Sequence, residues 1–393
     1  MSQLSRRGLL GGAAVGTLAL AAPAVPEAFA GGQGRRGRWA ASWTTAQTAP
    51  TPSDADATGG FTDTTIRHVL RLSAGGPIRL RFSNPFGTTP TTIGPVTADG
   101  QPVLFAGQKE VLLAAGATVL SDRVDLHVPD HGDLVVSLYL PGPTGPVSFH
   151  RNVHATGLIG TGDLTGAPNS AYTRQTRSVF LLNGVDVPGA GRRSLAILGD
   201  SITEGVGTPD DANLRWPDQF AARLRRSPAV ANLGISGNRL LLDDGRFGPS
   251  GQARFDRDVL ALPGLDTVLV FLGVNDLQQP PSQLDPTVLL TAYGQLAARA
   301  RDHGLQVLGA TIGPFKGWIR YTDELEQIRQ RVNAGLRTGR VFDTLVDVDA
   351  ALRDPADPAR LRPGFDSGDG LHPNAAGAGA IATALLARKV FDA

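Results

Sequence analysis

Ser194-Leu195-Ala196-Ile197-Leu198-Gly199-Asp200-Ser201-Ile202-Thr203-Glu204-Gly205 runs from an apolar stretch straight into glycine-bounded turn material. A short apolar run that ends on turn residues reads as a strand buried on both faces. Such strands belong to mainly parallel sheets, whose ligands bind beyond the C-terminal strand ends. Ser201 therefore lies exposed at the edge where chemistry is expected. Taken alone, Gly199-Asp200-Ser201 serves equally well as a structural turn with Ser201 as a helix cap. A serine hydroxyl is also a weak nucleophile until a base takes its proton.

The rhythm downstream extends this strand into a domain. Residues 230–234, 267–272, 306–311 and 345–348 are further short apolar runs. Helical spacing appears near 216–226 and over 288–303, where Gly304 supplies a C-cap. An Ala-rich helix over 374–389 opens on Asn374, a good N-cap. Strand-helix alternation over some 200 residues predicts a three-layer α/β/α domain with a mainly parallel sheet across residues 191–393.

Upstream the rhythm is different. Ile78-Arg79-Leu80-Arg81-Phe82 and Val124-Asp125-Leu126-His127-Val128 alternate apolar and polar, and residues 134–140 form a stronger apolar run. Gly75-Gly76-Pro77, Asp99-Gly100 and residues 129–133 separate them as turns. Short strands with frequent turns predict an all-β, jelly-roll-like sandwich over residues 31–190, with no helix of useful length. Residues 187–193, Val-Pro-Gly-Ala-Gly-Arg-Arg, read as the linker. The length of 393 residues suits two domains, and no internal repeat is visible.

A base for Ser201 must come from seven histidines. His68, His127, His131, His150 and His154 lie in the β-rich half, where His150 and His154 read as ordinary loop residues although they could reach the site. His303 sits at a helix end. His372 stands apart, in the Gly-rich Asp366-Ser367-Gly368-Asp369-Gly370-Leu371-His372-Pro373-Asn374 loop before the last helix. Asp369, three residues upstream, can accept from one ring nitrogen and leave the other to receive a proton from serine. The same histidine could instead simply stabilise its turn. Acyl transfer also needs donors for a developing oxyanion. Gly237, in Asn232-Leu233-Gly234-Ile235-Ser236-Gly237-Asn238, offers an unobstructed N–H, and Asn275, in Leu272-Gly273-Val274-Asn275-Asp276, offers an amide.

This ordered set resembles the four blocks of the SGNH, or GDSL-type, serine hydrolases, although Ile202 stands where that family often has leucine. The resemblance covers about 200 residues from Ser194 onward and implies a flavodoxin-like SGNH-hydrolase domain. It also implies the roles: Ser201 as nucleophile, His372 as base, Asp369 as its orienter, and an oxyanion hole of Ser201 N–H, Gly237 N–H and the Asn275 side chain. No metal or cofactor is implied. The β-rich half resembles, less specifically, the N-terminal sandwich beside SGNH domains in some secreted bacterial esterases, several of which act on acetylated polysaccharides. Asp200 is a candidate pocket residue, with bracing of its turn through hydrogen bonds as the favoured reading. Arg215, Trp216, Asn238 and Arg239 are candidate pocket residues, with a helix start or an ordinary loop as the alternative. Gly234-Ile235-Ser236-Gly237 fails the spacing of the G-x-S-x-G elbow.

Charge is balanced, with 37 Lys+Arg against 36 Asp+Glu, which argues against a nucleic-acid partner. Zero cysteines exclude a thiol nucleophile and a cysteine metal site. The N-terminus reads as an export signal of twin-arginine type: Arg6-Arg7, an apolar run to about Val25, then Ala28-Phe29-Ala30 at a cleavage site. The expectation is a secreted ester hydrolase, without stable membrane insertion after cleavage, acting on short acyl esters of carbohydrates or small molecules. The alternatives are an acyltransferase using the same acyl-enzyme, a lipase for longer chains, and a carbohydrate-binding protein with an inert hydrolase half.

Overall fold

A computed structural model describes residues 39–391, so the expected export signal lies outside the described residues. Five parallel strands, Ser194–Gly199, Ala229–Gly234, Thr267–Phe271, Gln306–Ala310 and Thr344–Val346, form one sheet in the spatial order second, first, third, fourth, fifth. That is the flavodoxin-like order, with its switch point beside the first strand. Alternate residues of each strand enter opposite cores. Ala196, Leu198, Leu233 and Val270 pack with helices Pro286–Asp302 and Asp323–Thr338. Leu195, Ile197, Leu269 and Phe271 pack with Trp216–Ala221, Val348–Leu352 and Ala375–Leu386. This domain is therefore α/β/α and is preceded by an antiparallel β-rich region.

Register sets where the chemistry falls. Gly199 pairs with both Gly234 and Phe271, so the first three strands end level with one another. The residues just beyond them are Ser201, Ser236-Gly237 and Asn275. Helix boundaries follow capping chemistry. Asn374 accepts from Ala376 and Gly377 N–H to start the last helix, and Asp285 caps Pro286–Asp302 through Thr287 N–H. Asp347 caps a helix from Val348, so the fifth strand ends at Val346 rather than at residue 348. The helix near residue 216 stops at Ala221. Helix Asp323–Thr338, absent from the sequence expectation, buries only Leu325, Ile328, Val332 and Leu336 as its apolar stripe.

In the β-rich region, two antiparallel sheets of five and six strands contribute to one core, in which Ile66, Leu70, Leu80, Phe82, Val136, Leu138, Phe180 and Val185 are buried. The only α-helix among its described residues is Ala55–Gly59. Strand Leu182–Pro188 pairs with Trp39–Thr44, which takes residues 187 and 188 out of the expected linker. What remains of the connection is anchored. Arg193 reaches Asp266 at 3.2 Å and the Val390 carbonyl at 3.1 Å. The two regions also bond directly, for example Val230 N–H to Ser73 Oγ at 2.8 Å.

Candidate active site

The first strand turns into the one-turn helix Ser201–Glu204, capped by Asp200, whose Oδ1 accepts from Ile202 N–H at 3.0 Å. Asp200 braces the turn. The helix can press against the second strand because residue 234 is glycine: a Cβ there would lie 2.3 Å from Glu204 N. The cap points the Ser201 side chain across the sheet edge, where Oγ lies 2.9 Å from His372 Nε2. His372 Nδ1 lies 2.6 Å from Asp369 Oδ2. Asp369 Oδ1 meanwhile accepts from the Leu371 and His372 N–H groups at 2.9 and 2.8 Å. One carboxylate thus fixes both the loop and the ring. Burial alone would raise the Asp369 pKa. The His372 side-chain and backbone hydrogen bonds and the Leu371 N–H outweigh it and bring the group down to about 2. Asp369 is therefore an anion at neutral pH, and His372 is held with Nδ1–H toward it and Nε2 facing the serine.

The N–H groups of Ser201 and Gly237 at this edge find no partner among the described residues. Ser201 is a first-turn residue, where helices leave N–H groups free. Gly237 has φ +76°, and a Cβ there would lie 2.4 Å from the Phe247 ring, so glycine is required on both counts. Asn275 is buried at the start of the helix Val274–Gln278. Its Oδ1 accepts from Gln278 Nε2 at 2.7 Å and Gln279 Nε2 at 3.0 Å. Those two donors fix which end of the amide is oxygen, so Nδ2 must point forward. Nδ2 donates to the Asn238 carbonyl at 3.0 Å and, at a longer 3.4 Å, toward Asp200 Oδ2. Trp318 Nε1–H donates to Gln278 Oε1 at 3.1 Å, and the Trp318 ring meets His372 edge-on with centroids 5.7 Å apart. An arc of contacts therefore runs from Phe247 through Gly237, Gln279, Asn275, Gln278 and Trp318 to His372, since Gln279 Nε2 also donates to the Gly237 carbonyl at 3.0 Å.

Behind this arc lies Arg254, fully buried. Its guanidinium donates to the Gly199 carbonyl at 2.9 Å, the Leu233 carbonyl at 2.9 Å and Asn238 Oδ1 at 3.1 Å, with Asp258 at 3.3 Å as counter-ion. It ties together the two strand ends that precede Ser201 and Gly237. Asp200 itself is fully buried. Burial pushes its pKa up to about 7, against the pull of Ile202 N–H and His372. Asp276, next to Asn275, is pushed up to about 6 by burial, although it accepts from Leu240 and Leu241 N–H.

Of the sequence-derived candidates, Ser201, His372, Asp369, Gly237, Asn275 and Asp200 converge on one edge. Asn238 is completely buried and acts as a brace, donating to the Phe247 and Pro249 carbonyls. Trp216 is not a pocket side chain: it is 1% exposed and packs against Phe271 in the core. Arg239 is also buried, donating to the Pro280 and Pro281 carbonyls. Arg215 pairs with Asp218 at 2.6 Å and reaches the Val153 carbonyl. The β-rich region comes closer than its histidines suggested in sequence. His150 Nε2 lies 3.2 Å from Glu204 Oε1, and His154 Nδ1 lies 3.0 Å from Asp210. Among the described residues, no group of three His, Asp or Glu side chains could hold a metal ion, and no helix is long and apolar enough to cross a membrane.

A parallel α/β/α sheet in this strand order, with a serine, histidine and aspartate in series at its C-terminal edge, defines an SGNH-hydrolase domain. Residues 197–380 match the GDSL-like lipase/acylhydrolase family. Similar solved structures include a family two carbohydrate esterase from Clostridium thermocellum in complex with cellohexaose, at 15% identity and TM-score 0.40, covering 85% of this chain and 94% of that one. Est24, a carbohydrate acetylesterase from Sinorhizobium meliloti, is 19% identical with TM-score 0.41, over 51% of this chain and all of that one. The M. smegmatis aryl esterase is 18% identical with TM-score 0.42, again over 51% of this chain and 100% of that one. No curated protein matches the chain.

Proposed function

We propose that the chain is a secreted serine carboxylic-ester hydrolase that works through an acyl-enzyme on Ser201. The observation that carries this reading is the relay Ser201 Oγ, His372 Nε2, His372 Nδ1, Asp369 Oδ2, at 2.9 and 2.6 Å, beside two unpartnered N–H groups. His372 takes the Ser201 proton as Oγ attacks the ester carbonyl. The oxyanion rests on Ser201 N–H, Gly237 N–H and Asn275 Nδ2, whose longer contact to Asp200 gives way to it. His372, now protonated, donates to the leaving alcohol. Water then repeats the sequence on the acyl-enzyme and returns free serine and a carboxylic acid. Asp369 remains an anion throughout and stabilises the imidazolium.

The preferred substrate is a short acyl ester of a carbohydrate or small molecule. That preference rests on composition: aromatic residues make up only 6% of the chain. Export rests on the Arg6-Arg7 pair, the apolar run and Ala28-Phe29-Ala30.

A fluorophosphonate tests the chemistry. One equivalent should add to Ser201, and Ser201→Ala should abolish both labelling and turnover while the protein stays folded. Normal hydrolysis by that variant would remove the assignment. A p-nitrophenyl ester series should peak at short acyl chains and extend to acetylated xylan; a maximum at long chains would overturn the substrate preference.

A further inference from the structure

The first-turn helix that begins at Ser201 ends at Glu204, a carboxylate buried at the junction with the β-rich region. Glu204 accepts from Ser236 N–H at 3.1 Å and also from the Ser236 hydroxyl, so it holds the residue immediately before the Gly237 donor by two bonds. Its Oε1 faces His150 Nε2 at 3.2 Å. His150 is buried as well, and comes from strand Phe149–His150 of the β-rich region.

His150 is held on both sides of its ring. Nδ1 lies 2.8 Å from the Ala46 carbonyl, and Nε2 lies 3.1 Å from the Asn152 carbonyl as well as beside Glu204. Burial alone would raise the Glu204 pKa, but the His150 side chain and the Ser236 hydroxyl and N–H outweigh it and draw the carboxylate below its usual value.

We propose that Glu204 and His150 are positioning residues for the oxyanion hole, through which the β-rich region sets the Gly237 N–H relative to Ser201. Glu204 joins the serine helix and the 235–238 turn to each other, and His150 keeps it ionised and aimed. Neither side chain touches the reacting atoms. A turn freed from Glu204 leaves substrate binding intact but misplaces a donor that acts only on the transition state, so kcat falls while KM holds. The inference rests on the acyl-enzyme reading above.

Glu204→Gln tests it. Glutamine keeps the volume and an acceptor for Ser236 N–H, but removes the charge that faces His150 and the acceptor of the Ser236 hydroxyl. On p-nitrophenyl acetate, kcat should fall about tenfold with KM within about twofold, in line with partial loss of one oxyanion donor. Affinity for a trifluoromethyl ketone, whose serine adduct puts an oxyanion in the hole, should fall by a similar factor. Ser236→Ala removes only a hydroxyl and should lower kcat about threefold; it is the variant to read if Glu204→Gln folds poorly. His150→Gln added to Glu204→Gln should lower kcat by less than the product of the two single effects, because both act on one network. Full kcat in Glu204→Gln or Ser236→Ala, or a matched rise in KM, would overturn the proposal. Failure of the native chain to label at Ser201 would instead remove the nucleophile assignment.

Discussion

The catalytic edge of the parallel sheet and the junction beside it are built from similar residues under opposite rules. At the edge, donors are left free: Ser201 N–H and Gly237 N–H have no partner, and Ser201 Oγ contacts only the base. At the junction, His150 uses both ring nitrogens and Glu204 both oxygens. A group that must receive a reacting atom has to keep hydrogen-bonding capacity in reserve, whereas a group that holds a loop in place does so by being fully bonded. The contrast explains why His372 and His150, both buried histidines beside carboxylates, serve different purposes. The carboxylate of His372 sits on one nitrogen and leaves the other to the serine.

The sharpest test of that difference lies at Asp369. In Asp369→Asn the amide can donate to Nδ1, which turns the His372 tautomer so that Nε2 no longer accepts from serine. A loss of about 10⁴ in kcat is expected, with KM little changed. Steady-state kinetics over a range of pH would check it. A loss of only a few-fold would mean that His372 needs no orienter and that the edge is organised otherwise. No acid-limb contribution from Asp369 itself is expected above about pH 3, because its hydrogen bonds hold it at about 2.

Much of the edge was legible in the sequence because it is made of loop residues of fixed type just past apolar strands. Ser201, Gly237, Asn275, Asp369 and His372 each stand where a strand or a Gly-rich loop ends, and strand register then brings the ends level. The bracing residues were not legible. Arg254 lies in a short helix with nothing local to mark it, and its role appears only when the Gly199 and Leu233 carbonyls, 55 and 21 residues away, meet its guanidinium. His150 lies in the β-rich region and Glu204 at the end of the serine helix, so nothing local in the sequence pairs them. Trp216 and Arg239 misled in the other direction: polar or aromatic residues near strand ends are as useful to a core as to a pocket. Helix Asp323–Thr338 did carry an i, i+3, i+7, i+11 stripe, but among nine charged or amide side chains those four apolar residues are a faint signal.

The arc through the glutamines gives a middle-sized test of bracing within the edge itself. Gln278→Met keeps length and removes one of the two N–H donors that orient the Asn275 amide. Gln279 still holds the same oxygen, so the amide turns only part of the time. A fall in kcat of about five- to tenfold with unchanged KM is expected. In an Asn275→Ala background the same substitution should have no further effect, since the amide it positions is gone. A second, independent loss there would show that Gln278 acts through Trp318 and His372 instead.

The smallest effect concerns what the edge costs the fold. Burial raises the Asp200 pKa to about 7, far above the value of an exposed aspartate. A carboxyl whose folded pKa is raised binds its proton more tightly in the native state. Its contribution to stability is therefore full below about pH 4, is lost as pH rises toward 7, and does not return above that. Asp200→Asn keeps an oxygen for Ile202 N–H and never ionises. The melting temperature of the variant relative to the native chain should thus rise between pH 5 and pH 8, on the order of 2–4 °C. A difference that stays flat with pH would mean that Asp200 remains charged throughout. The longer contact from Asn275 Nδ2 to Asp200 Oδ2 would then be a charge-assisted bond that competes directly with the oxyanion. Neutral Asp200 is the state that leaves this N–H for the substrate, so the stability profile of one buried carboxyl also reports on whether the oxyanion hole is open.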